Sequence, residues 1–241
     1  MRAVTWNIQH LAVYLEVETP AEDHFARAVR ALDPDVLLLQ EVDEFNPRSG
    51  SISQLEIAAH AMGASDYRFI ATPAAPGDYG IAIASRLPVV HWAELRLPRS
   101  PIGQRLTFIE DGRPNRYYVA DHGRAALAAV LDNGWTVVNT HCSFVPGMAQ
   151  LHLLRAWRWG QQVARSHSTR LLFGGDLNQS GVNWLRNFGA STVDGAPTFP
   201  SWQPERRIDH FLVERGQRGL ETVKVADRSE ISDHLPVEVL L

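Results

Sequence analysis

Cysteine occurs once in the 241 residues, at Cys142, so no internal disulfide can staple the fold. That scarcity suits a reducing compartment, and a cytoplasmic location is the expectation. Lysine also occurs once, as Lys224, while 22 of the 23 basic residues are arginine. The bias reads as gene base composition, and it leaves no lysine-rich patch. No run approaches the roughly 18 apolar residues of a membrane helix, so no membrane insertion is expected. The opening MRAVTWNI reads at once as a strand, with no basic and apolar leader before it, so no signal peptide is expected. The net charge of −4 argues weakly against a protein that coats nucleic acid non-specifically. There is no repeat, low-complexity stretch or linker, and a single domain over 1–241 is expected. What is present is ordinary globular material: 45% hydrophobic and 21% charged residues, enough for a sizeable core.

The patterning alternates strands with a few helices. Residues 2–8 alternate as a strand. Thr19-Pro20-Ala21-Glu22 reads as a capping box opening a helix to about Leu32. DVLLLQEV (35–42) is too apolar for a one-faced strand and reads as a central one. Ser51 or Ser53 could cap a second helix ending near Met62-Gly63. Short apolar runs at 67–71, 79–85, 88–95, 125–131 and 135–141 suit strands. Within 146–167, Met148, Leu151, Leu154, Trp157 and Val163 keep helical spacing, and Trp157 and Trp159 read as packing. RLLFGGDL, RIDHFLV and LPVEVLL complete the strands. The sum predicts two packed sheets flanked by helices. The stretch 96–124 reads as the least regular, a long loop with six arginines beside Phe108, Tyr117, Tyr118 and His122.

Polar residues recur where the apolar strands end. Asn7 follows RAVTW, with Gln9 and His10 beyond it; Glu41 follows DVLLLQ; His141 follows WTVVNT. Asp176 and Asn178 follow RLLFGG, Asp209 opens DHFLV, and Ser232-Asp233-His234 precedes the last strand. One such residue is a turn or cap. Six such places, from residue 7 to residue 234, point to one centre. The donors are hard oxygens with no Cys/His pair at zinc spacing, which favours magnesium or manganese, and nearby histidines could move protons. Together these parts describe metal-assisted phosphoester hydrolysis.

TWNIQH, LLLQEVD, GIAIASRLPV, VVNTHCS, FGGDLNQ, RRIDHFLV and SDHLPVEV resemble, in order, the motifs of the endonuclease/exonuclease/phosphatase superfamily, over residues 4–240. The resemblance is nearest to its small bacterial metal-dependent hydrolases. It implies an α/β (α+β) four-layer sandwich, deoxyribonuclease-I-like, two packed mixed β-sheets flanked by helices, with the site at one edge. It implies Mg2+ (or Mn2+) held by Glu41, with Asn7 and Asp233 nearby. Asp176 and Asn178 would position and activate the attacking water. His234, bonded to Asp209, would stabilise developing charge or act as acid/base. His141 and Arg124 would contact phosphate, as would Asn178. One departure stands out: several nuclease members carry an acid two positions after the first-strand asparagine, and here it is Gln9. The lost charge argues against a tight second metal site.

Other residues keep two readings. Trp202 could be loop packing or a platform facing substrate; Arg206 and Arg207 could meet phosphates or face solvent; Cys142 reads as inert core. The substrate expected is nucleic acid, with a small phosphodiester (metabolite or lipid headgroup) as the alternative and an inactive binding module as the least favoured. No protein partner is evident, and a monomer is expected.

Overall fold

The computed structural model describes residues 1–14, 21–72, 78–110, 113–217, 222–225 and 231–241. In chain order the strands are β1 (Arg2–Asn7), β2 (Val36–Glu44), β3 (Asp66–Ala71), β4 (Asp78–Ser85), β5 (Val89–Leu97), β6 (Gln104–Glu110) and β7 (Arg113–Val119). They continue as β8 (Arg124–Leu131), β9 (Trp135–His141), β10 (Arg170–Asp176), β11 (Ala190–Thr192), β12 (Asp209–Glu214), β13 (Thr222–Val225) and β14 (Val237–Leu240). The α-helices are α1 (Ala21–Leu32), α2 (Gln54–Met62) and α3 (Met148–Ser166).

Apolar residues on both faces of β1, β2, β4, β8, β9 and β10 require cover on both sides, and the architecture supplies it. The first sheet runs β13-β14-β1-β2-β4-β3 and the second β11-β12-β10-β9-β8-β5. Both are mixed: β1 pairs parallel with β2 and β9 parallel with β10, and every other pairing in them is antiparallel. Between the sheets lie Val36, Leu38, Ile81 and Ile83 against Leu127, Val137, Leu172 and Phe211. α1 and α2 cover the outer face of the first sheet through Phe25, Val29, Leu55 and Ala58. α3 covers the second through Leu153, Ala156, Trp157 and Val163. The result is the expected four layers.

One polar bridge crosses the central layer. Gln40 Nε2 donates to Asn139 Oδ1 at 2.7 Å, and Asn139 Nδ2 donates to the carbonyls of Leu39 and Ala82, each at 2.8 Å. The bridge fixes the two sheets in register directly beneath the edge where the polar strand ends collect.

The helix and strand expectations hold in outline, and four details differ. β1 does not alternate: Ala3 to Asn7 are all buried, because the strand lies between neighbours and under a helix. Of the two candidate caps for α2, Ser53 is the one used, its hydroxyl accepting from Glu56 N, while Ser51 lies in the left-handed region before it. The stretch 96–124 is not one long loop. β6 and β7 pair as a separate two-stranded sheet, with no third strand on it among the described residues. β11 and β13, three and four residues long, are too short for a periodicity to register. The capping box at 19–22 begins on residues outside those described.

Candidate active site

Strand polarity assembles one edge. The C-terminal ends of the parallel pairs β1/β2 and β9/β10 point the same way, so the antiparallel strands β8, β12 and β14 start there. In the second sheet His141, Asp176 and Asp209 are direct cross-strand neighbours on three adjacent strands. Gly175, before Asp176, has φ 138°, and a Cβ there would lie 1.9 Å from Thr140 O. Only glycine lets β10 approach β9 this closely and still deliver the aspartate. In the first sheet the register of β2 against β4 shifts between Gln40 and Val42. Glu41 is the extra residue, at φ 54°, and the bulge re-aims its carboxylate out of the sheet.

Asn7 ties the sheets together at this edge. Its Nδ2 donates to Glu41 Oε1 and to Asp176 Oδ2, both at 3.0 Å, while its Oδ1 accepts Gln9 N at 3.0 Å. Asp176 Oδ1 accepts Asn178 N at 2.8 Å, in a tight turn that puts Asn178 at φ 53°. Asn178 Nδ2 donates to Cys142 O at 3.0 Å and lies 3.1 Å from His141 Nε2. His141 Nε2 is 3.4 Å from Asp176 Oδ2. His234 Nδ1 lies 2.9 Å from Asp209 Oδ2, and its Nε2 is 3.9 Å from Asp176 and 4.0 Å from Asp233. Ser232 Oγ donates to Asn7 O at 2.6 Å and Trp6 Nε1 to His234 O at 3.1 Å, which sew the last loop onto the first strand. All the expected residues meet here, with one qualification of position. Arg124 is 2% exposed and lies behind His141, its Nη1 donating toward Nδ1 at 3.0 Å, its Nη2 3.5 Å from Asp121.

Burial sets the titration and the neighbours divide it. Burial would raise the Glu41 carboxyl, but the facing His10, His141 and Asn7 outweigh it and hold it well below the ordinary range. Asp176 goes the other way: burial, then Asp209, push it up against the pull of His234. Asp233 rises to about 6 by burial and Glu41, partly offset by His234. Burial would lower His234, yet Asp209, then Asp176 and Asp233, carry it up to about 10, so it is a cation at neutral pH. Burial and then Arg124 keep His141 neutral.

The donor chemistry fits a divalent ion. Glu41 is ionised, the Asp233 and Asp176 carboxyls crowd beside it, and no lysine or exposed guanidinium contacts any of the three among the described residues. Asp176, Asp209 and His234 also place one ligand atom each within 4.8 Å of one another. In that trio, however, the His234–Asp209 bond uses one imidazole nitrogen and favours protonation of the other, which suits proton handling more than ligation.

Several residues at this edge carried no legible signal in the sequence. Thr198 Oγ1 donates to Asp209 Oδ2 at 2.5 Å, and Phe199 packs on His234 with ring centroids 4.9 Å apart. Asp121 accepts from Ser100 N and Ser143 Oγ at 3.0 and 2.9 Å, bracing the Arg124 turn. Trp202, 72% exposed, is not loop packing. Arg206 lies over the Phe199 ring, Arg207 donates to Val193 O, Trp157 is buried, and the Cys142 thiol is raised by burial, as inert core should be.

The model of the endonuclease/exonuclease/phosphatase family matches residues 4–234. No curated protein sequence matches the chain. Among solved structures, an endonuclease/exonuclease/phosphatase from Beutenbergia cavernae is 22% identical with a TM-score of 0.67, over 99% of this chain and 70% of that one. The catalytic domain of human Nocturnin is 17% identical with a TM-score of 0.67, over 99% and 92%. A mannosyl-6-phosphatase from Bacteroides thetaiotaomicron is 16% identical with a TM-score of 0.69, over 100% and 98%. These likenesses show the fold, two mixed sheets flanked by helices.

Proposed function

The chain belongs to the endonuclease/exonuclease/phosphatase family, and from that premise we propose that it is a divalent-metal-dependent phosphodiesterase acting on nucleic acid. The observation that carries the reaction class is the charge arrangement at the edge: the raised Asp176 carboxyl beside the cationic, Asp209-held His234. A carboxylate pushed toward neutral pH is a good acceptor for the proton of an attacking water. Asn178 N fixes the rotamer of Asp176, and Asn7 holds its other oxygen, so the accepting lone pair is aimed rather than free. His234 presents Nε2–H to the charge that develops on phosphate oxygens and to the leaving group. Arg124 acts through His141, whose neutral ring can then offer a phosphate a hydrogen bond. Glu41, with Asn7 and Asp233, would hold Mg2+ or Mn2+. When bound, the ion neutralises phosphate charge and makes water a better nucleophile.

Two excursions of the second sheet support a long substrate. Residues 98–123, with the β6–β7 hairpin, leave and return at the Leu97–Arg124 end of β5 and β8. Residues 193–208, carrying Trp202, leave and return at the opposite flank of the same edge. The intervening strand mouths, from β12 to β8, span about 14 Å at the usual strand spacing. Arg105, Arg116 and Tyr118 (64% exposed) share one face of the hairpin, as cross-strand pairing requires. A polyanion lying along the row would meet arginines and an aromatic ring on one side and Trp202 on the other. The second reading is a small phosphoester; it is favoured by the net charge of −4 and by a structural relative that is a sugar phosphatase.

The test is plasmid nicking with magnesium or manganese, run against EDTA and Asp176→Ala, beside bis(p-nitrophenyl) phosphate. Nicking that needs both the metal and Asp176 is the expected result. Intact plasmid beside hydrolysed small diester would move the substrate to a metabolite or headgroup, and activity undiminished in EDTA would overturn the metal requirement.

A further inference from the structure

After Asn7 the chain does something unusual. Gln9, His10 and Leu11 have φ of 47°, 44° and 60°, three consecutive left-handed residues without a glycine among them. Such a run costs energy at each residue and persists only where the surroundings hold it. The holding group here is Gln54, fully buried in α2: its Nε2 donates to His10 O at 2.9 Å and its Oε1 accepts Asp43 N at 2.9 Å. One side chain therefore locks the turn to β2, two residues past Glu41. The turn separates the two side chains that follow Ile8. Gln9 turns to the last loop, its Oε1 accepting Asp233 N at 3.4 Å. His10 turns to Glu41, its Nδ1 3.8 Å from Oε2.

That distance is too long for a hydrogen bond, and Nδ1 is buried with no hydrogen-bond partner among the described residues. It fits another relation. Two ligands of one small divalent ion, each at about 2.1 Å, lie at most about 4.2 Å apart. The other two imidazoles near Glu41 are committed. Arg124 donates to His141 Nδ1, which leaves the proton of that neutral ring on Nε2 and neither nitrogen open to an ion. His234 is bonded through Nδ1 to Asp209. Resting on the metal-dependent reading above, we propose that His10 supplies an imidazole nitrogen to the divalent ion held by Glu41, in place of the acidic side chain absent at Gln9. A neutral nitrogen ligand shifts preference from magnesium toward manganese and other transition ions, following ligand softness.

The experiment is pulsed electron paramagnetic resonance on the whole protein loaded with Mn2+. Histidine nitrogen coupling is expected in the echo modulation, changing in pattern when histidine is labelled with 15N. It should vanish in His10→Asn, chosen because asparagine tolerates the left-handed region, and persist in His141→Asn and His234→Asn. Mn2+ affinity should fall about tenfold in His10→Asn, with a smaller change for Mg2+. Bound manganese without nitrogen coupling, or coupling that survives His10→Asn, overturns the proposal while leaving the metal reading intact. Wild-type protein that binds no Mn2+, or binds it undiminished in Glu41→Gln, overturns the Glu41-centred metal reading and the proposal together. The label swap in wild-type protein needs no variant, so a His10→Asn that fails to fold does not remove the test.

Discussion

The two sheets bring different things to the shared edge, and they bring them differently. The first sheet delivers Asn7 at the end of a regular strand, and Gln9, His10 and Glu41 on distorted backbone: a left-handed turn and a bulge. Of nine non-glycine residues at positive φ among the described residues, Gln9, His10, Leu11 and Glu41 belong to this sheet's contribution and Asn178 to the other. The second sheet delivers His141, Asp176 and Asp209 as straight cross-strand neighbours, with regular register into the site. The oxygen donors suited to an ion cluster on the distorted side. On the regular side stand Asp176, whose carboxyl is raised, and Asp209, which bonds the His234 that the loop before β14 brings across from the first sheet. Ion ligation needs several atoms converging on one point, which pleated strands do not offer without a bulge or a turn. A proton relay needs only side-by-side groups, which adjacent strands offer directly.

The division can be broken from either side. Asp176→Asn should lower kcat by about 10^3-fold with little change in Mn2+ affinity, whereas Glu41→Gln should weaken Mn2+ binding by at least about tenfold; calorimetric titration beside turnover separates them. If both variants lose metal equally, the sheets do not divide the work. Asp209→Asn comes next, with kcat expected to fall more than about tenfold. It removes the cause of the raised His234 pKa, so the imidazole that titrates near 10 should titrate well lower, read by NMR in metal-free protein. The sign follows: a raised folded-state pKa stabilises below the unfolded value near 6.5 and that stabilisation fades as pH climbs toward 10. Urea midpoints of the wild type should therefore decline across that window more steeply than those of the variant.

The bridge between the sheets gives a smaller, purely structural effect. Asn139→Ala takes one partner from Gln40 Nε2 and from two carbonyls in a fully buried layer and should cost about 1–3 kcal/mol in denaturant unfolding. Trp202→Ala should leave stability within about 0.5 kcal/mol. Its expected mark is a KM for a single-stranded oligonucleotide raised roughly fivefold, the scale of one lost stacking contact, with bis(p-nitrophenyl) phosphate unaffected. An unchanged oligonucleotide KM would remove Trp202 from the substrate path.

The same contrast explains what the sequence revealed. Asp176, Asp209 and His141 were legible because each ends or opens an apolar run, and strand periodicity carries the eye to them. Glu41 was legible for the same reason, although the bulge that aims it left no trace in LLLQEVD. His10 stood in view with no role, because a left-handed turn without glycine has no sequence signature. Thr198 and Asp121 lie in excursions where neither period applies, and their bonds to Asp209 and the Arg124 turn exist only after distant strands have paired. That β2 is a central strand was legible because DVLLLQEV is too apolar for one face. The hairpin at 104–119 was not, since none of its side chains among the described residues is buried.

The stitching of the last loop to the first strand has a kinetic consequence. Trp6 bonds His234 and Ser232 bonds Asn7 across 228 and 225 residues of chain. Closing loops that long is slow compared with forming helices or neighbouring hairpins. In refolding from urea, circular dichroism should therefore recover first and turnover last, which makes enzymatic activity a clock for the final docking step rather than for collapse.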